Sequence, residues 1–418
     1  MSEAPHPLTF PNFRAYFLAR LAATIAISAQ GIIIGWQVYS VARETIGIKD
    51  SAFLLGMIGL VQFVPLFLLT PVVGLVADTF DRRWIVRGTT ALMVANAAML
   101  GVATWAGELT LPFLFLAAAI VGICRAFSGP AFSALAPNLV PKESLPTAIA
   151  VSSIAWQVGT IAGPSVGGVL YAIHPDFAYG TIAGMLVVAL GLLMLIGKVP
   201  QPAVQSDRRP LHRIVDGFAY VRDNRLILAT ITLDLFVVLL AGATALLPVF
   251  ARDILKVDAD GFGILAAAMG IGAAAASVWF SVRPMKTEVG MKMIGAVLLF
   301  AAALLVFGLS KSYWLSFGAL VVAGAADMVS VYVRQSLVQL HTPDEMRGRV
   351  GAVSALTISA SNELGEAESG LLASIIGPVG SVVFGAVAAI GITLAWVRLF
   401  PELRLAKTFD PPPQSRPD

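Results

Sequence analysis

Apolar residues run along this chain in long blocks, separated by short stretches of charged and turn-forming residues. A helix needs about 20 mostly apolar residues to cross a bilayer. Twelve blocks meet that length: 15–42, 52–77, 85–107, 111–136, 146–173, 177–197, 226–251, 261–282, 290–310, 312–339, 348–376 and 379–400. The breaks are marked by Arg43 and Glu44, by Asp81, Arg82 and Arg83, by Pro175 and Asp176, and by Gly377 and Pro378. The pattern predicts an all-α integral membrane protein of twelve transmembrane helices, with both termini on one side.

One polar stretch is much longer than the others. Residues 198–225 carry Lys198, Arg208, Arg209, Arg213, Arg222 and Arg225, with Asp207, Asp216 and Asp223 between them. Within it Leu211, Ile214, Val215, Phe218 and Val221 recur at helical spacing, which predicts a linker followed by an amphipathic surface helix. The expected organisation is a six-helix bundle over 1–198, this linker over 199–225, a second six-helix bundle over 226–400, and a disordered tail over 401–418 ending in prolines.

The two bundles read as copies. Shifted by 202 residues, Pro141 and Glu143 meet Pro343 and Glu345, and Ala150, Val151 and Ser152 meet Ala352, Val353 and Ser354. Gly122, Gly163, Gly168 and Leu170 meet Gly324, Gly365, Gly370 and Leu372, and Arg125 meets Asp327. Matching Pro and Glu in a polar turn is not what chance alignment of apolar sequence produces. Parallel half-repeats are a transporter pattern.

Composition agrees: 57% of the residues are hydrophobic and 13% charged, against roughly 25% charged in soluble domains. The formal charge of +3 gives no reason to expect a nucleic-acid partner. The polar start, 1–12, does not read as a removable signal. Cys124 is the only cysteine, so no intrachain disulfide or cysteine metal site is possible. The distribution of charge matters more than its sum. With Met1 inside, the external loops hold only Arg43, Lys49, Arg252, Lys256 and Lys311, and the spans, away from their ends, hold Arg20, Arg125 and Arg334. The other 20 of 28 basic residues are then cytoplasmic, which predicts an inner-membrane protein with both termini inside.

Charges inside spans cost at least ~2.5 kcal/mol each on insertion scales and mark candidate function. They are Arg125 in the fourth span, Asp234 in the seventh, Asp327 and Arg334 in the tenth, and Glu363, Glu366 and Glu368 in the eleventh. Asp327 and Arg334 are seven apart and share a face, as do Glu363 and Glu366. Glu363, Glu366, Asp234 and Asp327 outnumber Arg125 and Arg334, so not all can be structural ion pairs. Glu366 is the first candidate for proton coupling, with Glu363 and Asp327 behind it. Arg20, near the inner end of the first span, reads as a snorkelling anchor. Weaker cavity candidates are Gln30, Gln37, Tyr39, Trp156 and Gln157, while Phe63 reads as core packing. Gly191 to Lys198 fits a phosphate loop poorly, and neither HExxH nor GxSxG occurs, so no enzyme, metal or cofactor is expected.

Two motifs carry a family resemblance. After the second span come Gly74, Asp78, Asp81, Arg82 and Arg83; this resembles the loop signature of the major facilitator superfamily, departing from it at Thr79 and Asp81. The resemblance implies a gate latch in which Asp78 faces the start of the eleventh span near Arg347 and Arg349. The fifth span holds Gly159, Gly163, Pro164, Gly167 and Gly168, matching the GxxxGPxxGG pattern associated with antiporters of that superfamily. Phe10 to Arg14, Gly35 to Tyr39, Thr342 to Arg349 and Ser361 to Gly365 resemble the branch of enterobactin exporters and macrolide-efflux proteins. The implied fold is two pseudo-symmetric six-helix bundles. The implied function is proton-coupled export of amphiphilic small molecules such as siderophores or drugs, by a monomer in a lipid bilayer. An importer, facilitator or lipid transporter of the same fold, or a non-transporting sensor or scaffold, are the alternatives.

Overall fold

The computed structural model describes residues 5–198 and 210–410, apart from the side chains at 70, 71, 74, 75, 77–79, 142, 146, 210–214 and 344. All regular structure among them is helical. The first six spans are α1 (Pro11–Thr45), α2 (Ile48–Thr79), α3 (Arg82–Ala106), α4 (Leu111–Leu135), α5 (Leu145–Ile173) and α6 (Pro175–Met194). Then come the surface helix α7 (Pro210–Asp223), α8 (Arg225–Leu240), a short turn α9 (Leu247–Val249), α10 (Ala259–Val282), α11 (Val289–Leu309), α12 (Tyr313–Leu340), α13 (Asp344–Ile376), α14 (Pro378–Leu399) and α15 (Pro401–Leu405). Below, the "linker end" is the end of a bundle nearest residues 199–209, and the "far end" is the opposite one.

Eleven helical segments among the described residues are long and apolar enough to span a membrane. The twelfth expected span is α13. Its 33 residues reach roughly 50 Å at 1.5 Å per residue, ample for a crossing. Its apolarity falls short because Glu363, Glu366, Glu368, Asn362 and several serines lie within it.

The seventh span departs from the expected continuous helix over 226–251. It stops at Leu240, makes a tight turn over Ala243–Leu246, and resumes through α9 into a wide turn over Phe250–Ile254. Pro248 has no N–H, and its ring opposes the preceding turn. At Gly242 the backbone comes so close to α13 that a Cβ would lie 2.5 Å from the Gly365 carbonyl. Discontinuous helices with unwound backbone are a recurring device of transporter sites.

The tail also departs from expectation. Residues 401–410 are ordered: α15 buries Leu403 completely, and Gly290 N donates to Ala406 O at 3.0 Å. An apolar side chain within a proline-rich segment found a slot beside α11. Residues 199–209 and 411–418 lie outside the described residues.

The surface helix α7 packs its Gly217 against the Arg349 backbone of α13 and its Val221 into a cluster with Ile227, Ile231, Val338, Val350 and Val353. Val215 and Phe218 stay exposed. The chain forms two compact units, Met1–Asp207 with Leu247–Gly270, and Arg208–Leu246 with Ile271–Asp418. The division therefore passes through the seventh and eighth spans as well as the linker.

Candidate functional site

In the second unit, the tenth-span face predicted from spacing meets the seventh span. Arg334 Nη2 of α12 lies 3.3 Å from Asp234 Oδ2 of α8, with side chains 4% and 8% exposed. Arg334 Nε is buried without a hydrogen-bond partner. Asp327, about two turns along α12 from Arg334, is electrostatically coupled to both Asp234 and Arg334. Asp234 therefore pairs with the guanidinium directly, while Asp327, partly exposed, feels both charges without contacting Arg334.

The glutamates of α13 lie beside this group's supporting helix. Gly365 of α13 packs on the Val238 and Leu239 backbone of α8, where a Cβ would come within 2.7 Å of the Val238 carbonyl. Glu363 and Glu366 flank that glycine, and Glu363 is 4% exposed. Glu368 is half-buried, with Ser369 Oγ at 3.5 Å. The break in the seventh span, between α8 and α9, lies next along the same contact.

In the first unit, Arg125 Nη1 of α4 donates to Gln62 Oε1 of α2 at 3.2 Å. Gly122, one turn earlier, allows that approach, since a Cβ there would meet the Gln62 carbonyl at 2.5 Å. Arg20 is not a snorkelling anchor. Its guanidinium donates to Tyr16 Oη at 2.7 Å and to Ser152 Oγ, and it lies over the Phe132 ring. Tyr16 in turn donates to the Phe132 carbonyl at 2.8 Å. This network ties α1, α4 and α5, and a part-buried arginine with local acceptors has no need to reach for the interface.

The glutamines expected along a cavity sit inside the first bundle. Gln37 Oε1 accepts from Tyr179 Oη of α6 at 2.6 Å, and its Nε2 donates to Thr104 of α3 at 3.3 Å. Gln30, one heptad below, is fully buried, and neither its Nε2 nor its Oε1 has a partner. Trp156 is 46% exposed, Gln157 is part-exposed, and Phe63 stacks on Phe67 at 5.6 Å.

The glycine motif of α5 faces two neighbours. A Cβ on Gly159, Gly163 or Gly167 would fall 2.6 Å from Thr24 Cβ, 2.4 Å from Ser28 Cβ and 2.6 Å from the Ala29 carbonyl, all on α1. Gly168 meets the Gly263 backbone of α10 instead, at 2.5 Å. Pro164 lies inside the helix between these contacts.

At the linker end, the loop signature is built differently from a free basic patch. Asp81 caps α3 by accepting from Arg83 N at 2.9 Å and takes the Arg83 fork on both oxygens. That fork holds the Asp81 carboxyl below its ordinary value. Arg87 donates to the Leu193 and Ile196 carbonyls at the end of α6, where a cation suits the helix dipole. Arg82 donates to the Ala134 carbonyl at 3.0 Å. Arg347 reaches the Gln339 carbonyl, and Arg349 pairs with Asp216 of α7 at 3.2 Å. The side chain of Asp78, and Gly74 with it, lie outside the described residues.

One constellation had no sequence signal. At the far end Arg43 of α1 grips Asp253, with Nη2 to Oδ1 at 3.0 Å and Nε to Oδ2 at 3.3 Å. Tyr39 Oη donates to the same carboxylate, so Tyr39 is part of a clamp rather than a cavity wall. Arg252 donates to the Ser40 carbonyl at 3.1 Å, and Trp36 stacks on Phe262 at 4.4 Å. In the sequence Arg43 reads only as an external-loop charge. Only the wide turn over Phe250–Ile254 brings the carboxylate to α1.

Comparison with known proteins agrees with this architecture. A family model described as "Transmembrane secretion effector" matches residues 2–413. The enterobactin exporter EntS of Citrobacter koseri is 26% identical over 418 residues, covering 98% of this chain and 96% of its own. The enterobactin exporter EntS of Shigella dysenteriae serotype 1 is 27% identical over 382 residues, covering 89% and 88%. A solved D-xylose–proton symporter superposes with a TM-score of 0.72 at 12% identity, covering 93% of this chain and 98% of its own. A bacterial homologue of the human lysosomal transporter Spinster does so with 0.70 at 15% identity, covering 94% and 97%. At those identities the structures speak for the fold, and the family model for kinship. This chain, a multi-pass membrane transporter and not an enzyme, belongs to the transmembrane secretion effector family of the major facilitator superfamily.

Proposed function

We propose that this transporter exports amphiphilic small molecules, of the siderophore or drug kind, by alternating access in exchange for protons. The linker end faces the cytoplasm, as the charge bias argues. Export is supported by the enterobactin exporters among its relatives. Proton coupling rests on one observation above all: Asp234 is buried against Arg334, and a second carboxylate, Asp327, lies within electrostatic reach of both. One guanidinium balances one negative charge, so the group is neutral only when the second carboxylate carries a proton. Moving Arg334 or either acid between two conformations would load and release that proton. Glu366 and Glu363, beside the same helix, extend the path. One proton crossing 100 mV supplies about 2.3 kcal/mol, enough for a roughly 50-fold gradient.

The test is uptake of enterobactin into inside-out vesicles that hold the overexpressed protein. An acid-inside gradient should drive accumulation, and a protonophore should abolish it. Uptake indifferent to the gradient would remove proton exchange and leave facilitation. Absence of uptake, of enterobactin and of a panel of amphiphilic drugs alike, would favour a lipid transporter or a non-transporting sensor.

A further inference from the structure

The ordered tail places an aromatic side chain against a stacked aromatic pair of the second unit. Its anchor is firm. Arg225 holds Glu402 at 2.7 Å and donates to the Leu399 carbonyl. Leu403 is fully buried. Gly290 of α11 lies so close to the Leu403 carbonyl that a Cβ could not be accommodated. Past that anchor, the Phe409 ring meets Tyr332 of α12 edge-on, with centroids 5.8 Å apart at 89°. Tyr332 in turn stacks on Phe280 of α10 at 5.1 Å and 12°. His341, just past the end of α12, lies within electrostatic reach of the Phe409 backbone and the Asp410 charge.

Two stacked rings with a third standing edge-on against one of them form an aromatic surface that accepts a further ring. Tyr332 lies about two turns inside the linker end of α12, and both it and Phe280 are partly exposed. The tail tip reaches the pair because α15 is held in place. Phe409 itself is only partly buried, so its removal leaves the anchor and the bundle core intact.

We propose that the Phe280–Tyr332 pair is a binding site for an aromatic ring of cargo, and that Phe409 is a tethered competitor occupying it. Cargo approaching from the linker end displaces the tip while α15 stays attached. The competition is intramolecular, so the apparent affinity for cargo is reduced by the fraction of time that the tip is undocked. This inference rests on the export reading only in taking the linker end as the side from which cargo arrives.

Binding of dansylamide, a fluorescent aromatic probe, to the full-length protein in detergent micelles tests it without any gradient or transport. The specific signal is the part lost in Tyr332→Leu, which keeps bulk but removes the ring. Phe409→Ala should bind the probe roughly tenfold more tightly than the unmodified protein if the tip is docked about nine-tenths of the time. Adding Tyr332→Leu to Phe409→Ala should bring binding below the unmodified level. Phe280→Leu should act in the same direction as Tyr332→Leu. All variants should elute as one species with an unchanged melting temperature. Equal or weaker binding in Phe409→Ala overturns the competitor role. A signal unaffected by Tyr332→Leu overturns the site, whatever the vesicle experiment says about export.

Discussion

At the scale of single residues, the second unit's charges allow a test that separates structure from coupling. Arg334 has one carboxylate in contact, Asp234 at 3.3 Å, and a second, Asp327, within electrostatic reach. Asp234→Asn and Asp327→Asn should each leave Arg334 a counter-ion, so membrane abundance should stay near normal. The double variant strands a buried guanidinium, a change that costs about 3–5 kcal/mol, and abundance should fall sharply. Equal abundance of all three variants would mean that Arg334 reaches water or another acceptor. Whichever single variant still binds cargo but loses gradient-driven uptake identifies the coupling acid. Glu366→Gln belongs in the same series. It imitates a permanently protonated glutamate and should keep exchange while losing uphill transport. Uphill transport at the normal rate in Glu366→Gln would return the role to the Asp234–Asp327 pair. The sequence exposed each of these residues, because a charge in an apolar run is conspicuous. It did not expose the pairing of Asp234 with Arg334, which depends on how α8 and α12 pack. It also led astray at Arg20 and Gln37, each of which has one partner, Ser152 or Tyr179, more than a hundred residues away.

At the scale of elements, the glycine face of α5 makes a prediction with an internal control. A Cβ at Gly163 would fall 2.4 Å from Ser28 Cβ, whereas one at Gly184 of α6 would meet nothing within 4 Å. Gly163→Leu should therefore push α5 from α1, an overpacking cost of about 1–3 kcal/mol or more, and abolish transport. Gly184→Leu should leave both abundance and transport intact. Similar losses in the two variants would show that leucine harms by bulk in the membrane, not by lost contact. Helix placement was legible almost to the residue, because hydropathy blocks and turn residues coincide with membrane crossings. The break after Leu240 was not, since Gly242 and Pro248 are tolerated inside spans as often as they interrupt them. The ordered α15 was hidden too, because one buried leucine does not stand out in a proline-rich segment.

At the scale of the whole molecule, the repeat assigns residues 247–270 to the second half, yet in this structure they pack within the first unit. The contacts responsible are the Arg43–Asp253 clamp with its Tyr39 hydrogen bond, the Trp36–Phe262 stack, the close pass of Gly168 against Gly263, and Gly270 against the Ile161 carbonyl. If transport proceeds by alternating access, these contacts must part whenever the far end opens, and a pair of charges is the part most easily tuned. The clamp side chains are 23% and 15% exposed, and an ion pair partly open to solvent is worth roughly 0.2–1 kcal/mol. Asp253→Ala should therefore shift the population toward the opened form by at most about fivefold, not lock it. Ala42, one residue before Arg43, is fully buried and can report the shift. In a Cys124→Ser background, Ala42→Cys should react slowly with a membrane-impermeant maleimide added at the far end. Asp253→Ala should speed that reaction by the same factor, and cargo that favours either form should change it further. Exchanging the charges, Arg43→Asp with Asp253→Arg, should restore the slow rate, which a merely structural effect at position 253 would not do. Labelling that stays slow in Asp253→Ala would show that the aromatic and glycine contacts alone hold the far end shut.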